Sequence, residues 1–539
     1  MSATLKFCLL QDRFAVGAIE QNADQIIRLA QQAISEHEAE LLLFPELALT
    51  GYPPEDLLLR PELQQRVEAA IDRIAAAELP ALLIFGAPII DKGRLYNSLI
   101  GVQAGQRVLQ YHKRALPNYQ VFDEQRYFTA GQQPVVFDLK GHLVALLICE
   151  DVWQRTMLQQ LQQMDVELVL VANASPWYKG REQQRLAQLQ DWAEEFGLHL
   201  AYCNLLGGQD ELVFDGSSFV VDNSGQLVAQ AAFAEASILP VELNEQELTG
   251  AWEHWPESQE AAIWQMLCMG LADYVNRNGF AGIVLGLSGG IDSALSLAIA
   301  VDALGSERCT AVMLPYAYTS DMSLEDAQLQ ADYLEVPLLQ LPIHPAFEAS
   351  MASLAPHMPP AQAGDVTEQN LQSRLRGLML MALSNRQNLM VLTTGNKSEM
   401  AVGYATLYGD MCGGFNALKD LLKTEVWQLA RWRNSLGLSI PERVIDRPPS
   451  AELAPGQKDE DSLPPYPILD AIIQGHVEDN LGYQALVDQG LPSEAVAQVL
   501  RLIQRSEFKR QQSPLGVRIS KRAFGKDWRL PVSSGWILQ

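Results

Sequence analysis

The segment GIVLGLSGGIDSALSLAIAVDAL, residues 282–304, constrains the fold of this chain more than any other. Its first six residues form a short apolar run, and residues 293–304 are apolar at helical spacing, so the segment reads as a buried strand, a tight turn and a helix. That β-loop-α unit belongs to a doubly wound parallel sheet, because a parallel neighbour strand is reached only through a crossover. The turn residues Gly286, Leu287, Ser288, Gly289, Gly290, Ile291, Asp292 and Ser293 are mostly small. Small residues let backbone approach a ligand, and N–H groups at a helix start favour an anion. The turn carries neither the GxxxxGK[ST] of a P-loop nor the GxGxxG of a dinucleotide-binding unit. A glycine turn with a Ser/Asp helix cap is the plain alternative.

At 539 residues the chain is long enough for more than one core, and 48 % hydrophobic residues supply the apolar material. A second grammar precedes the segment above. Apolar runs each followed by turn residues (41–44, 82–88, 142–149, 168–175, 198–205) read as buried strands, with helices expected at 21–39 and 181–196 and a hairpin at the Asn-Ser-Gly of 223–225. The grammar changes in the polar stretch 240–262, which places a boundary at Trp255 and two domains, 1–255 and 256–539. Further strands are expected at 310–315 and 388–394, a helix at 260–278, and a mobile loop in the Pro-rich 447–467. With 39 Lys plus Arg against 65 Asp plus Glu, the net charge of -26 disfavours nucleic acid and anionic membranes as partners. Six scattered cysteines without CxxC spacing argue for free thiols and against a zinc site. With no signal-like or membrane-spanning apolar run, the expected location is the cytoplasm.

Cys149 stands where an apolar run ends, followed by Glu150 and Asp151; Glu46 follows LLLFP, and Lys113 lies in the polar segment YHKRALPNYQVFDE. A thiol is a strong nucleophile once a base takes its proton and a cation steadies the charge that develops. Singly, each of these residues has a packing or solvation reading. In the contexts FPELALTGYPPEDLL, HKRALPNYQVFDEQRYF and ICEDVW they resemble the Glu-Lys-Cys triad of the nitrilase superfamily. The resemblance implies an α-β-β-α sandwich, with Cys149 as nucleophile on an amide carbon, Glu46 as general base and Lys113 at the oxyanion. It also implies, through NASPWYKGREQQR, a glutamine pocket formed by Tyr119, Glu150, Ser175 and Arg181, with Tyr52 and Trp153 as walls.

The SGGxDS turn resembles the pyrophosphate loop of the ATP pyrophosphatases, which adenylylate a substrate. That resemblance implies ATP on residues 286–293, pyrophosphate on Ser288, Gly289, Gly290 and Ser293, and Mg²⁺ on Asp292 with Glu399 as second carboxylate, oxygen ligands that suit a hard cation. Asp292 alone equally reads as a cap. Together with VTEQNLQSRLRGLMLMALSN, LTTGNKSEMAVGYATLYGDMCGG, RPPSAEL and EFKRQQSP, the two regions are similar to the glutamine-dependent NAD synthetases. This likeness implies amidation of deamido-NAD with ammonia from glutamine, giving NAD, AMP, pyrophosphate and glutamate. By it, Asn370, Glu399 and Lys509 contact deamido-NAD and Thr394 contacts ATP, with Arg374, Arg376, Asp410 and Lys419 as further candidates. It also implies homo-oligomers formed through the synthetase domain. Residues 501–529 hold nine Lys or Arg against two acids, an expected cationic patch for the two polyphosphate substrates. Ammonium has no lone pair, so the ammonia is expected to travel by a shielded route. An enzyme with another acceptor, a nucleotide sensor and a stand-alone amidase are the rival readings.

Overall fold

The computed structural model describes residues 4–245, 247–360, 362, 364–449, 452–454, 459 and 462–536. They fall into two compact units, Met1–Gln259 and Glu260–Gln539. Of the loop expected at 447–467, residues 450–451, 455–458 and 460–461 lie outside the described residues.

The first unit holds a seven-stranded and a six-stranded sheet, besides a two-stranded one. Side chains of a strand alternate between faces, and here the alternation assigns them to two different cores. Leu5, Phe7 and Leu9, Leu41 and Leu43, and Leu82 and Ile84 point into one core, shared with the second sheet through Val144, Leu146 and Leu168. Their neighbours Cys8, Leu10, Leu42, Phe44, Leu83 and Phe85 enter another core, under the helices Ile19–His37 and Pro61–Ala75. On the second sheet, Leu168–Asn173 is buried at every position, as a strand covered on both faces must be, and the helix Arg181–Phe196 packs there through Leu189, Ala193 and Phe196. The result is the α-β-β-α sandwich.

The seven-stranded sheet contains two long strands, Arg94–Gln103 and Gln106–His112, joined as antiparallel neighbours. Their mixed polarity, RLYNSLIGVQ and QRVLQYH, hid them from a search for apolar runs. The strand expected at 142–149 ends at Ile148, and Cys149 opens a short turn of helix, Cys149–Trp153.

The second unit is built on six parallel strands in the order Leu338–Gln340, Cys309–Met313, Gly282–Gly286, Leu389–Thr393, Phe415–Asn416, Leu515–Gly516. Numbered along the chain that is 3-2-1-4-5-6, the doubly wound order, with its direction of winding reversing between Gly282–Gly286 and Leu389–Thr393. The loops leaving those two strands are therefore held apart, and a crevice opens between them. Helix Ile291–Leu304 begins two residues earlier than expected, inside the turn itself. At least three of the nine basic residues expected to form a cationic patch at 501–529 have partners within the unit. Buried Arg510 pairs with Glu507, buried Arg518 with Asp527, and Arg522 lies over the Trp528 ring.

Candidate active sites

In the first unit the sheet ends bring Glu46, Lys113 and Cys149 into one buried cluster, each at most 4 % exposed. Lys113 Nζ lies 2.6 Å from Glu46 Oε1 and 2.7 Å from Glu124 Oε1. Glu46 is held from three sides: it also accepts from Asn97 Nδ2 at 2.7 Å and from the Ala174 N–H at 3.0 Å. Tyr52, expected as a wall, donates its hydroxyl to Glu124 at 3.1 Å. Glu124 was absent from the sequence reading although it lies in the quoted segment, since its spacing from Lys113 has no helical or strand period to mark it.

Asp151 was missed too, and it fixes the turn that presents the thiol. Its carboxylate accepts from the N–H groups of Arg114, Ala115 and Ile148 and from the Tyr111 hydroxyl, at 2.7–3.0 Å. One side chain thus ties the Cys149 turn to the loop just after Lys113. Cys149 itself has φ of 42°, a conformation L-residues rarely adopt, which turns its side chain out of the strand direction.

The charges are strongly coupled. Burial opposes the Lys113 ammonium, but the carboxylates of Glu124 and Glu46 outweigh it and hold its pKa well above the ordinary value. Burial, then the Glu46 carboxylate, push the Cys149 thiol well up, so the resting sulfur keeps its proton. Burial and Glu46 also raise Glu124, against the attraction of Lys113. An arrangement with a neutral thiol, a carboxylate and a fixed cation performs nucleophilic attack only if the carboxylate takes the thiol proton.

Around this cluster, Tyr119 donates to Glu150 at 2.8 Å and is half exposed. Arg181 opens its helix, its guanidinium 5.2 Å over the Trp153 ring and 5.6 Å over Tyr178. Two aromatic faces hold a cation in place. Ser175 is buried, its N–H bonded to Asn204 Oδ1 at 2.9 Å.

In the second unit the crevice at the strand reversal is a cavity of about 280 Å³. Gly286, Leu287, Ser288, Gly290, Ile291, Asp292 and Ser293 line it from one strand end, and Thr394 and Glu399 from the other. Gly289 does not line it: its φ is +76°, and a Cβ there would stand 2.5 Å from the Ser323 carbonyl oxygen. The turn thus requires glycine for both conformation and space. Ser293 Oγ accepts from the Ser288 N–H at 3.2 Å and closes the turn.

Lys423, absent from the sequence reading, is 1 % exposed and bridges the two carboxylates, on Asp292 and 3.5 Å from Glu399. Asn396 Nδ2 donates to Asp292 at 2.8 Å. Burial, and after it the charge of Asp292, raise Glu399. The pair already holds one cation between oxygen donors, and carboxylate oxygens are the donors a hard divalent ion such as Mg²⁺ takes.

Of the remaining predicted contacts, Asn370 and Lys509 do not line the cavity. Asn370 Oδ1 accepts from Thr406 at 3.0 Å, and Lys509 donates to the carbonyls of Gly403 and Ala405 at 2.7 Å each. Arg376 and Asp410 line the cavity, while Arg374 bonds the Leu407 carbonyl and Lys419 the Pro514 carbonyl.

Two family models match the two units. The carbon-nitrogen hydrolase model covers residues 12–252 and the NAD synthase model residues 263–513. The glutamine-dependent NAD(+) synthetase of Acinetobacter baylyi is 46 % identical over 99 % of both chains. That of Xanthomonas campestris is 48 % identical over 99 % of this chain and 98 % of its own. The solved structure of glutamine-dependent NAD+ synthetase from Acinetobacter baumannii in complex with ADP superposes with a TM-score of 0.81, at 43 % identity and covering all of both chains. The chain belongs to the family of glutamine-dependent NAD(+) synthetases, which are ligases.

Proposed function

We propose that residues 1–255 hydrolyse glutamine and residues 256–539 spend the ammonia on amidating deamido-NAD to NAD with ATP. One observation carries the reading: a single chain holds a buried Cys149–Glu46–Lys113 cluster in one unit and a phosphate-type turn at the strand reversal of the other.

In the first unit Glu46 takes the thiol proton as Cys149 sulfur attacks the glutamine amide carbon. The oxygen anion that forms is held by Lys113 with a backbone N–H. Collapse returns the proton to the amide nitrogen and expels ammonia, leaving a thioester. Water, deprotonated by Glu46, then releases glutamate. Glu124 is the second carboxylate that holds Lys113. Arg181, steadied by Trp153, pairs with the glutamine carboxylate, and Glu150 with Tyr119 receives its ammonium.

In the second unit a nicotinate carboxylate oxygen bonds to the α-phosphorus of ATP while the α–β bridging bond breaks and pyrophosphate leaves. Ammonia attacks the resulting acyl adenylate, and AMP departs with the bonding pair. N–H groups of the 286–293 turn and Ser288 and Ser293 bind the phosphates, Thr394 the nucleotide, and Asn370, Glu399 and Lys509 the dinucleotide. Asp292 and Glu399 are the residues that would hold Mg²⁺, which supplies charge neutralisation to the polyphosphate. The reading further includes transfer of ammonia between the domains without release, a cytoplasmic setting and a homo-oligomer formed by the synthetase domain.

The test is NAD formation from ATP, Mg²⁺ and deamido-NAD with glutamine or ammonium as donor. Wild type uses both and Cys149→Ala only ammonium. No NAD from either donor sinks the proposal.

A further inference from the structure

The motif RPPSAEL begins at Arg447, and the reaction as described leaves that residue without a task. Arg447 lines the same cavity as Ser288, Gly290 and Asp292. Nη2 donates to the Gly289 carbonyl at 2.9 Å and Nη1 to Ser323 Oγ at 3.0 Å. Gly289 is the one residue of the turn that does not line the cavity, and Arg447 grips the turn there, at the glycine with positive φ.

A second clasp lies beside the first. Glu452 Oε1 accepts from Ser320 Oγ at 3.0 Å and from Ser323 Oγ at 2.9 Å, and Gln372 Nε2 bonds the Leu453 carbonyl at 3.3 Å. Ser323 thus stands between Arg447 and Glu452, and that pair of clasps holds the segment to the phosphate turn and to the start of the helix Asp321–Tyr333. A guanidinium offers five N–H donors in a planar fork; Gly289 and Ser323 take two of them.

The charges of the cavity make that fork significant. Lys423 is already committed to Asp292 and Glu399. When the α–β bond breaks, the electron pair leaves with pyrophosphate, and negative charge builds on the group lying along the turn. Hydrogen bonds from a cation to such a group are the strong ones, and they count most where charge develops.

We infer that Arg447 is a pyrophosphate-binding residue: it props the turn through Gly289 and takes the leaving group's oxygens with its remaining donors. The inference rests on the adenylylating reading of the second unit. It concerns charge on the leaving group, which a purely structural prop would not address.

The experiment uses the full chain with ammonium as nitrogen donor, Mg²⁺, ATP and deamido-NAD, and reads kcat/KM for ATP together with product inhibition by pyrophosphate. Arg447→Met is expected to lower kcat/KM for ATP roughly 100-fold. It should also weaken pyrophosphate inhibition about tenfold or more, the loss of one charged hydrogen bond. Arg447→Lys, which keeps the charge, should recover most of the pyrophosphate inhibition. Ser323→Ala, which removes one prop and leaves the guanidinium, should change both quantities less than about threefold, as loss of one neutral partner does. The inference fails if Arg447→Met inhibits as wild type does, or if Ser323→Ala matches it in both readouts, since Arg447 is then a prop only. If Arg447→Met does not fold, Arg447→Gln takes its place: pyrophosphate inhibition weakened in Gln and recovered in Arg447→Lys supports the charge role, and inhibition unchanged in a folded Gln variant refutes it. Wild type that forms no NAD and releases no pyrophosphate overturns the adenylylating reading and this inference together; active wild type with an indifferent Arg447→Met overturns the inference alone.

Discussion

Replacing Glu124 by glutamine isolates the carboxylate that the sequence did not reveal. Gln keeps the shape of Glu, an oxygen for Lys113 and an acceptor for the Tyr52 hydroxyl, so the 2.7 Å and 3.1 Å contacts can persist. What disappears is one charge on a buried ammonium, whose other partner is Glu46 at 2.6 Å. A hydrogen bond to a charged group contributes about 1.5–3 kcal/mol, so glutaminase kcat should fall roughly 10- to 100-fold as Lys113 is drawn toward the base. Glutamate release measures it, and NAD formation from ammonium, which depends on the second unit, serves as the internal control. Glutaminase within twofold of wild type would refute a role for Glu124 in holding Lys113.

The same variant carries a stability prediction. Glu124 has its folded pKa raised by burial and by Glu46, so the folded state binds the proton more tightly than the unfolded chain does. The associated stability is fully present below the unfolded value of about 4.3 and is lost as pH rises through the folded value. Gln has no such loss. The Tm of the variant minus that of wild type should therefore increase from pH 5 to pH 8, and a difference that stays flat contradicts the raised pKa.

Two further substitutions probe single contacts. Gly289→Ala adds a Cβ 2.5 Å from the Ser323 carbonyl at a φ of +76°, so KM for ATP should rise about tenfold or more with glutamate release intact, measured by initial rates; an unchanged KM shows that the turn tolerates the shift. Trp153→Leu removes one of two rings from the Arg181 guanidinium, and at about 0.5–2 kcal/mol per such contact KM for glutamine should rise roughly 3- to 30-fold while kcat changes little. A fall confined to kcat would mean that Trp153 serves the turn at Cys149 instead.

Local grammar was the legible part. The turn at 286–293 sits between a strand of one apolar period and a helix of another, and each element falls within two residues of its expected place. Helix Arg181–Phe196 was read to the residue, because glycines in left-handed conformation, Gly180 and Gly197, bracket it. Glu46 and Cys149 were legible because each follows an apolar run, where a parallel strand delivers its residues to one edge. Glu124, Asp151, Lys423 and Arg447 were not. Each acts through a partner 11 or more residues away, or through backbone N–H groups of another loop, and such pairings leave no period in the sequence. The basic run at 501–529 shows the converse limit: composition counts charges but does not say that Arg510 and Arg518 are buried against Glu507 and Asp527.

Both units settle the same electrostatic problem in the same way, and the solution can be broken in both. Lys113 stands between Glu46 and Glu124, and Lys423 between Asp292 and Glu399, each lysine 1 % exposed. In each case burial and the neighbouring carboxylate raise one member of the pair, Glu124 or Glu399, which readies the site for a reaction that moves a proton or gathers phosphate charge. Deleting the ammonium leaves buried carboxylate charge without its cation, and breaking a buried pair in this way costs about 3–5 kcal/mol. At about 2–4 °C per kcal/mol for a unit of this size, Lys113→Met and Lys423→Met should each lower the Tm of their own unit by roughly 6–20 °C. Calorimetry on the full chain reads this, since each lesion is confined to one unit and the other keeps its own core. Glu124→Gln, which removes a surplus negative charge, should not destabilise at pH 8. A Lys113→Met protein that melts within about 2 °C of wild type would mean that the two carboxylates share a proton without the lysine, and the electrostatic account of both sites would then be wrong.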